Sequence, residues 1–330
     1  MSRAYFITGA TGFVGGHVAE ACKARGIAVR TIARATSDTS LLEHLGATIL
    51  RGDLADPELL QPALDGAEVV VHCAAKVGDW GPVEDYRAVN VDALRTLLEA
   101  CKDKPLLRFV HLSSLGVYAA RHHHGTDETE PLPNQHMDSY TQTKVDSERL
   151  ALDYHQKHGV PVVVLRPGFI YGPRDRTVLG KLVESLRKQE MPYIGGGAGA
   201  MNTIYVGNLI DAIFLAIDNP NAVGQVYNLT DGESVSKRQF IDAIADGANV
   251  ARPSRSVPLW LARTVGWFME RRARRRGAAE APRLTQARLK FLGLNLGFSI
   301  DKARTQLGYQ PRVHFADGIK QTMAWYRKDA

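Results

Sequence analysis

No stretch constrains this chain more than the turn Thr8-Gly-Ala-Thr-Gly-Phe-Val-Gly15. It follows an apolar run, Ala4 to Thr8, and opens a helical pattern in which Val14, Val18, Ala21 and Cys22 share one face up to a stop at Gly26. The three glycines then have separate tasks. Gly9 takes a tight turn, Gly12 lets the backbone approach a pyrophosphate, and Gly15 lets the helix pack closely on the strand. The helix amino end offers free N–H groups to an anion. Placed between a strand and a helix, the motif predicts a dinucleotide-binding turn rather than a merely flexible one.

The chain beyond this turn supports the same fold. Short β-rich runs recur at Ala28 to Arg34, Thr48 to Leu50, Glu68 to Cys73, Arg108 to Leu112 and Val160 to Leu165, with helical patterns between them. Apolar strands joined by helical crossovers make a parallel sheet covered on both faces. We therefore expect an α/β, doubly wound Rossmann domain over residues 1–175. A smaller mixed α/β substrate-binding cap is expected over 176–330, with the chain crossing back to the first domain near 202–230. Helices are expected in the cap near 177–189, 208–218, 236–248, 258–272 and 315–327.

Composition narrows the function classes. At 45% hydrophobic and 23% charged the 330 residues suit an ordinary globular protein and not a disordered one. The cysteines, Cys22, Cys73 and Cys101, are odd in number and lack metal-ligand spacing, which points to reduced, buried thiols and a cytoplasmic setting. Net charge is +6, but Arg271 to Arg276 supplies five of the positives. So local a patch argues against a broad nucleic-acid face. No secretory leader or membrane-spanning run is expected. The run His122, His123 and His124 is read as solvated, and no metal site is expected.

The acidic residue that would accept from the ribose of NAD, about 20 residues beyond the glycine turn, is replaced by Arg34. A guanidinium suits a 2′-phosphate, so NADP is favoured. If Arg34 is only a surface residue, Asp38 is left to restore NAD recognition. Asp53, in Gly-Asp-Leu-Ala-Asp, is either an acceptor for the adenine amino group or a helix cap ahead of Pro57. Tyr140 and Lys144 lie four apart on one helical face, where the ammonium favours the tyrosinate and readies the phenol for proton exchange with an alcohol or carbonyl. Alone, such a pair is usually a surface pair. Ser113 and Ser114 fall where the fifth strand should end, on the edge that presents the glycine turn, where a hydroxyl can stabilise developing charge on a substrate oxygen. The alternative for either serine, favoured for Ser113, is a turn residue.

In this order and spacing Thr-Gly-Ala-Thr-Gly-Phe-Val-Gly15, Gly52 to Asp56, His72 to Lys76, Asn90, Ser113 to Tyr118, Tyr140 to Lys144 and Arg166 to Asp175 resemble the extended short-chain dehydrogenase/reductase family, nearly end to end. The resemblance implies that Ser114 polarises the substrate, Tyr140 is the general acid/base, Lys144 its partner and ribose ligand, and Asn90 an organiser of that lysine and of a relay water. It further implies a cofactor lining from Gly9, Thr11, Gly12, Phe13, Val14, Gly15, Arg34, Asp53, Leu54, Ala74, Ala75, Lys76, Pro167, Gly168, Phe169 and Ile170, beside Tyr140 and Lys144. Two departures from the family pattern are Thr143, where serine is common, and Asn208, where many members carry an acid. The latter is given no role.

The family hosts reductases, epimerases and dehydratases on one frame. Leu115 and Gly116 stand where sugar-nucleotide dehydratases carry an Asp-Glu pair, which counts against dehydration. The loop Gly78 to Tyr86 and the segment 257–277 resemble the branch of 3β-hydroxysteroid dehydrogenases, sterol-4-carboxylate dehydrogenases and 2-alkyl-3-oxoacid reductases. That branch implies a hydrophobic substrate, with Val77, Trp80, Ser114, Tyr171 and Tyr205 beside it. Two alternatives stay open: an NAD-dependent nucleotide-sugar epimerase, and a non-catalytic cofactor-sensing or RNA-associated binding protein. A homodimer through 83–102 and 138–158 is implied by the resemblance alone. Segment 258–276 is read first as a core helix ending in a solvated basic turn, and second as a peripheral membrane contact.

Overall fold

The computed structural model describes residues 3–329. Seven parallel strands form one sheet: β1 (Ala4–Thr8), β2 (Ala28–Ala33), β3 (Thr48–Arg51), β4 (Val69–His72), β5 (Arg108–Leu112), β6 (Val162–Pro167) and β7 (Val226–Leu229). Their spatial order is β7-β6-β5-β4-β1-β2-β3. The valine-rich strands are buried on both faces, as Val69, Val70, Val71, Val162, Val163 and Val164 illustrate. The first six match the expected runs closely. The seventh is not among the expected strands, but residues 226–229 lie in the stretch 202–230 where the chain is expected to cross back to the first domain, and they pair with β6.

One face of the sheet is covered by α1 (Phe13–Ala24) and the other by α2 (Pro57–Leu64), α3 (Ala93–Cys101) and α4 (Ser139–His158). The first face also receives α5 (Val206–Asp218), which lies against α1 and carries Leu209, Ile213 and Ile217 into the core. Arg108, buried in β5, donates to the carbonyls of Ile217 (3.3 Å) and Asn219 (2.9 Å), where the α5 carbonyls lack helical partners. A third core, built around Tyr171, Leu179, Val183, Phe240, Ile244 and Met323, belongs to the smaller layer. Beside it, α6 (Leu259–Arg275) packs on α7 (Gln286–Gly293).

Asn208, given no role from sequence, is fully buried and uses its whole hydrogen-bonding capacity. Its Nδ2 donates to Asp231 Oδ1 and to the Val313 carbonyl, both at 2.8 Å, while its Oδ1 accepts from the N–H groups of Arg312 and Val313. It staples the C-terminal segment to the core. The histidine run divides. His123 is fully buried in a short strand paired with Leu296–Phe298, stacked on Phe298 and bonded to Thr126 Oγ1 and the Ala119 carbonyl. It is not solvated as expected, whereas His122 and His124 are exposed. Alternating side chains of an extended strand point to opposite faces, which is how one member of the run becomes core.

Candidate active site

The sheet order reverses between β1 and β4, and a crevice at such a switch point is where open α/β sheets bind ligands. Both segments that leave these strands meet there. Gly9 has φ +65°, and a Cβ on it would lie 2.9 Å from the Ala74 backbone. Thr8 Oγ1 accepts from the Ala74 N–H (3.1 Å) and bonds His72 Nδ1 (2.9 Å). A Cβ on Gly15 would meet the Gly9 carbonyl and the Ala10 Cα, so helix and turn touch directly. Gly12 stands at the amino cap of α1 in extended conformation with no side-chain cap. The first N–H groups of α1 are thus left to an anion, and Thr11 and Gly12 are exposed toward it. Phe13 and Val14 turn inward against the cores. This cradle fits the pyrophosphate of a dinucleotide.

At the end of β2, Arg34 is exposed. The exposed Asp38 caps a local turn: its Oδ1 accepts from the Ser40 N–H (3.0 Å) and the Ser40 hydroxyl, contacts that hold its carboxyl below the usual range. Asp53 accepts from the Ala55 N–H (2.9 Å) in a local turn and is exposed. The helix cap ahead of Pro57 is Asp56, which accepts from the Glu58 N–H. The capping alternative for Asp53 is therefore corrected. Leu54 is half-buried against the core beneath α2.

Tyr140 and Lys144 lie in the first two turns of α4, which Asp138 caps by accepting from the Thr141 N–H (2.8 Å). Ser114 leaves β5 extended and caps a short turn by accepting from the Gly116 N–H (3.0 Å). Its hydroxyl is near enough to the Tyr140 phenol to favour the ionised form slightly. The expected electrostatics need correction. Burial and, second, the Asp138 carboxylate push the phenol up to about 12, and the Ser114 hydroxyl only moderates this. Lys144 is nearly buried, its ammonium donates to the Leu112 carbonyl at the end of β5, and burial pulls it down to about 8. The phenol is held protonated, and the Lys144 ammonium one turn further along the helix is unusually easy to neutralise.

Asn90 lies in a π turn, Ala88–Asp92, that joins the helix Val83–Arg87 to α3. Its buried amide accepts from the Lys76 N–H (2.7 Å) and donates to the Lys76 carbonyl (3.1 Å) and to Thr143 Oγ1 (3.0 Å). The lysine its side chain organises is thus the backbone of Lys76 and not Lys144. Thr143 in turn donates within α4, to the carbonyls of Ser139 (2.9 Å) or Tyr140 (3.0 Å). Any hydroxyl would serve there, so the departure from serine has a physical account. Asn90 ties the Ala74–Lys76 segment to the helix of Tyr140. The Lys76 side chain itself pairs with Asp85 (2.8 Å) over the Tyr86 ring.

Ser113 is no turn residue: buried, it donates to Glu148 Oε2 (2.6 Å). Glu148 is paired with Arg166, which donates to the Tyr118 hydroxyl (2.6 Å), which bonds Asn228 Oδ1 (2.9 Å). This charge-assisted chain crosses from β5 to β7 under the site, and sequence reasoning missed Glu148 and Arg166 as partners. It also missed Lys290, on α7, whose ammonium donates to the carbonyls of Gly116 (2.5 Å) and Tyr118 (2.9 Å) and so holds the Ser114 turn from the cap side. Burial pulls Lys290 down to about 8. No spacing rule links residue 290 to residue 116.

The structure splits the expected substrate residues. Val77 is 63% exposed and follows Lys76. Trp80 donates to the Ala278 carbonyl (2.9 Å) and lies under Arg274, so it joins the loop to α6. Tyr171 and Tyr205 are buried in the aromatic core with Phe240 and Phe315, and the Tyr205 hydroxyl is bound to Gln321 (2.7 Å). They are packing residues: Tyr171 ends the strand Phe169–Tyr171, Tyr205 ends its parallel partner Thr203–Tyr205, and the register sets the two opposite each other, both buried. Pro167 ends β6, and a Cβ on Gly168 would strike the Asn202 backbone. Phe169 and Ile170 remain partly open, with Phe169 stacked against Phe291 at 4.8 Å.

A glycine turn at the switch point, with a serine, a tyrosine and a lysine on the same sheet edge, defines an NAD(P)-dependent enzyme of the Rossmann class. The chain belongs to the NAD dependent epimerase/dehydratase family, whose model matches residues 5–230 and so ends just past β7. It is 32% identical over 316 residues to a 4-hydroxy-2-methyl-3-oxo-4-farnesyl-3,4-dihydroquinoline-1-oxide ketoreductase of Stigmatella aurantiaca, covering 95% of this chain and 94% of that one. A 3 beta-hydroxysteroid dehydrogenase/Delta 5-->4-isomerase of Mycobacterium tuberculosis is 32% identical, with 97% and 89% covered. Among solved structures, gox2253 superposes with a TM-score of 0.84 at 30% identity, covering 100% and 99%. These relatives support the reductase and hydroxysteroid dehydrogenase branch.

Proposed function

We propose that the protein reduces a ketone to a secondary alcohol on a bulky, largely apolar substrate, with NADPH as hydride donor. The cofactor, when bound at the glycine turn, supplies the hydride. Tyr140 donates the proton to the substrate oxygen, Ser114 donates a hydrogen bond to the same oxygen, and Lys144 holds the ribose side of the site and stabilises the phenolate left behind. The observation that carries this reading is a juxtaposition: Tyr140 and Lys144 share one face of α4, and Lys144 donates to the Leu112 carbonyl at the end of β5, two residues before Ser114 leaves that strand, on the sheet edge that also presents the glycine turn. Val77 and Met137, which flank the segments bearing Lys76 and Tyr140, are 63% and 53% exposed, and this supports an apolar substrate. The exposed Arg34 at the end of β2, where an NAD-selective site carries an acid, supports NADP over NAD.

The test is steady-state oxidation of NADPH with a panel of hydrophobic ketones, set against a nucleotide sugar. Consumption of NADPH with an apolar 3-oxo or steroid ketone is expected. Tightly retained NAD, with interconversion of a nucleotide sugar and no net NADPH oxidation, would overturn the reading in favour of an epimerase.

A further inference from the structure

Helix α6 is not the core helix expected from its apolar spacing. Only Ala262 and Gly266 are buried along its 17 residues, and Leu259, Met269, Glu270 and Ala273, all half-buried, complete the inward face. Gly266 lets α7 come close: a Cβ there would lie 3.0 Å from Leu289 Cδ1. The outward side is graded along the helix axis. Its first turns expose Trp260 (70%), Leu261, Val265, Trp267 (48%) and Phe268 (61%), and its last turns expose Arg271, Arg272, Arg274 and Arg275, followed by Arg276. Trp267 and Phe268 form an edge-on pair with centroids 4.9 Å apart, and Arg271 sits 5.3 Å over the Trp267 ring. The one acidic residue of the helix, Glu270, is turned inward, where it accepts from the Gln286 N–H (2.7 Å). The exposed face thus carries aromatic and aliphatic side chains and cations, with no carboxylate.

Capping of the helix dipole accounts for one or two basic residues in the last turn and not for five apolar side chains held in water. We infer that α6 docks the protein on an anionic lipid surface. Its amino-terminal turns insert among the acyl chains, and its arginines lie at the headgroups. None of the described helices is long and apolar enough to cross a membrane, so the contact is interfacial. The charge pattern selects this occupant, because a lipid surface bearing phosphates complements a row of arginines without demanding a shaped partner. The loop that follows Lys76 is tied to the end of this helix through Trp80, which meets Arg274 and Ala278, and to the neighbouring α7 through Asp79, which pairs with Arg288 and accepts from Thr285. Resting on the proposal of an apolar substrate, this arrangement opens the substrate side of the site toward the bilayer.

The test is co-sedimentation of the full chain with vesicles of phosphatidylcholine alone and of phosphatidylcholine with 30 mol% phosphatidylglycerol, at roughly 50 and 500 mM salt, where screening is weak and strong. Binding is expected on the anionic vesicles only and should weaken at high salt. Replacing Arg271, Arg272 and Arg275 with Gln should weaken it by roughly fivefold for each arginine removed. Trp260→Ser with Phe268→Ser should weaken it by an order of magnitude or more. Circular dichroism melts and NADPH oxidation with a water-soluble ketone check that the variants are folded, and they report on the catalytic reading separately. Equal binding to both vesicle types, no binding to either, or a dimer in light scattering that the Trp260 and Phe268 substitutions dissociate would each overturn the inference, the last by showing that a second copy covers the face.

Discussion

The carboxyl edge of the sheet and helix α6 handle apolar sequence in opposite ways. At the edge, Thr8, Gly9, Ala74, Asn90 and Thr143 form one continuous set of contacts in which nearly every polar group has a partner. On α6, aromatic side chains with an equally regular spacing face solvent, anchored by a few small residues on the other side. The difference teaches that periodicity reports the shape of an apolar face and not what covers it. Chemistry is held where backbone geometry leaves no freedom, and recognition of the outside is left to a surface on which substitution costs the fold little.

The comparison breaks first if the edge proves tolerant. Gly15→Ala puts a methyl group against the Gly9 carbonyl and the Ala10 Cα. Overpacking of this kind costs about 1–3 kcal/mol, and because it deforms the cradle itself, fluorescence titration should find dinucleotide binding weakened by at least about tenfold. Arg34→Ala should lower the preference for NADP over NAD by about 2 kcal/mol, the scale of a charge-assisted hydrogen bond, read as a ratio of kcat/KM for the two cofactors. A rise in NAD use without loss of NADP use would remove Arg34 from the account.

Proton inventory sharpens the picture further. Lys144 is drawn down to about 8 by burial, so its ammonium is present below that pH and lost above it, while the Tyr140 phenol stays protonated to about 12. Reductive kcat/KM should therefore be level below about pH 8 and fall about tenfold per pH unit above it. A profile level to pH 10 would mean that the charge on Lys144 is not needed. The smallest effect belongs to the helix. Phe268→Ser should change unfolding free energy by no more than about 0.5 kcal/mol, as expected for an exposed site, measured by urea denaturation. A loss several times larger would place that ring in a core.

The legibility of the chain has the same division. The strand boundaries, the glycine turn and the placing of Tyr140 and Lys144 one turn apart in one helix rest on local patterns, periods of 2 and 3.6 and a turn that only glycine satisfies, so they can be read directly. For β7 only the crossing back near 202–230 is legible and the strand itself is not: four residues separated from their neighbour strand by more than fifty carry no periodicity that distinguishes them from a loop. Lys290, Glu148 and Arg166 are equally opaque, because their partners are set by tertiary contact. Tyr171 and Tyr205 read as substrate residues and pack as core, because a tyrosine at the end of a conspicuous motif can face inward or outward depending on one step of strand register. The direction of the Tyr140 shift is equally hidden. Sequence spacing reveals the neighbouring cation but neither the burial of the phenol nor the Asp138 carboxylate.

The central claim is that the Tyr140 phenol delivers the proton. Single-turnover reduction of an apolar ketone by wild type and Tyr140→Phe, with cofactor affinity measured on both, tests it most directly. The account predicts a loss of at least about a hundredfold in the rate of reduction, within the range contributed by a general acid, with NADPH affinity changed by no more than about twofold. Turnover near that of wild type in the phenylalanine variant would contradict it.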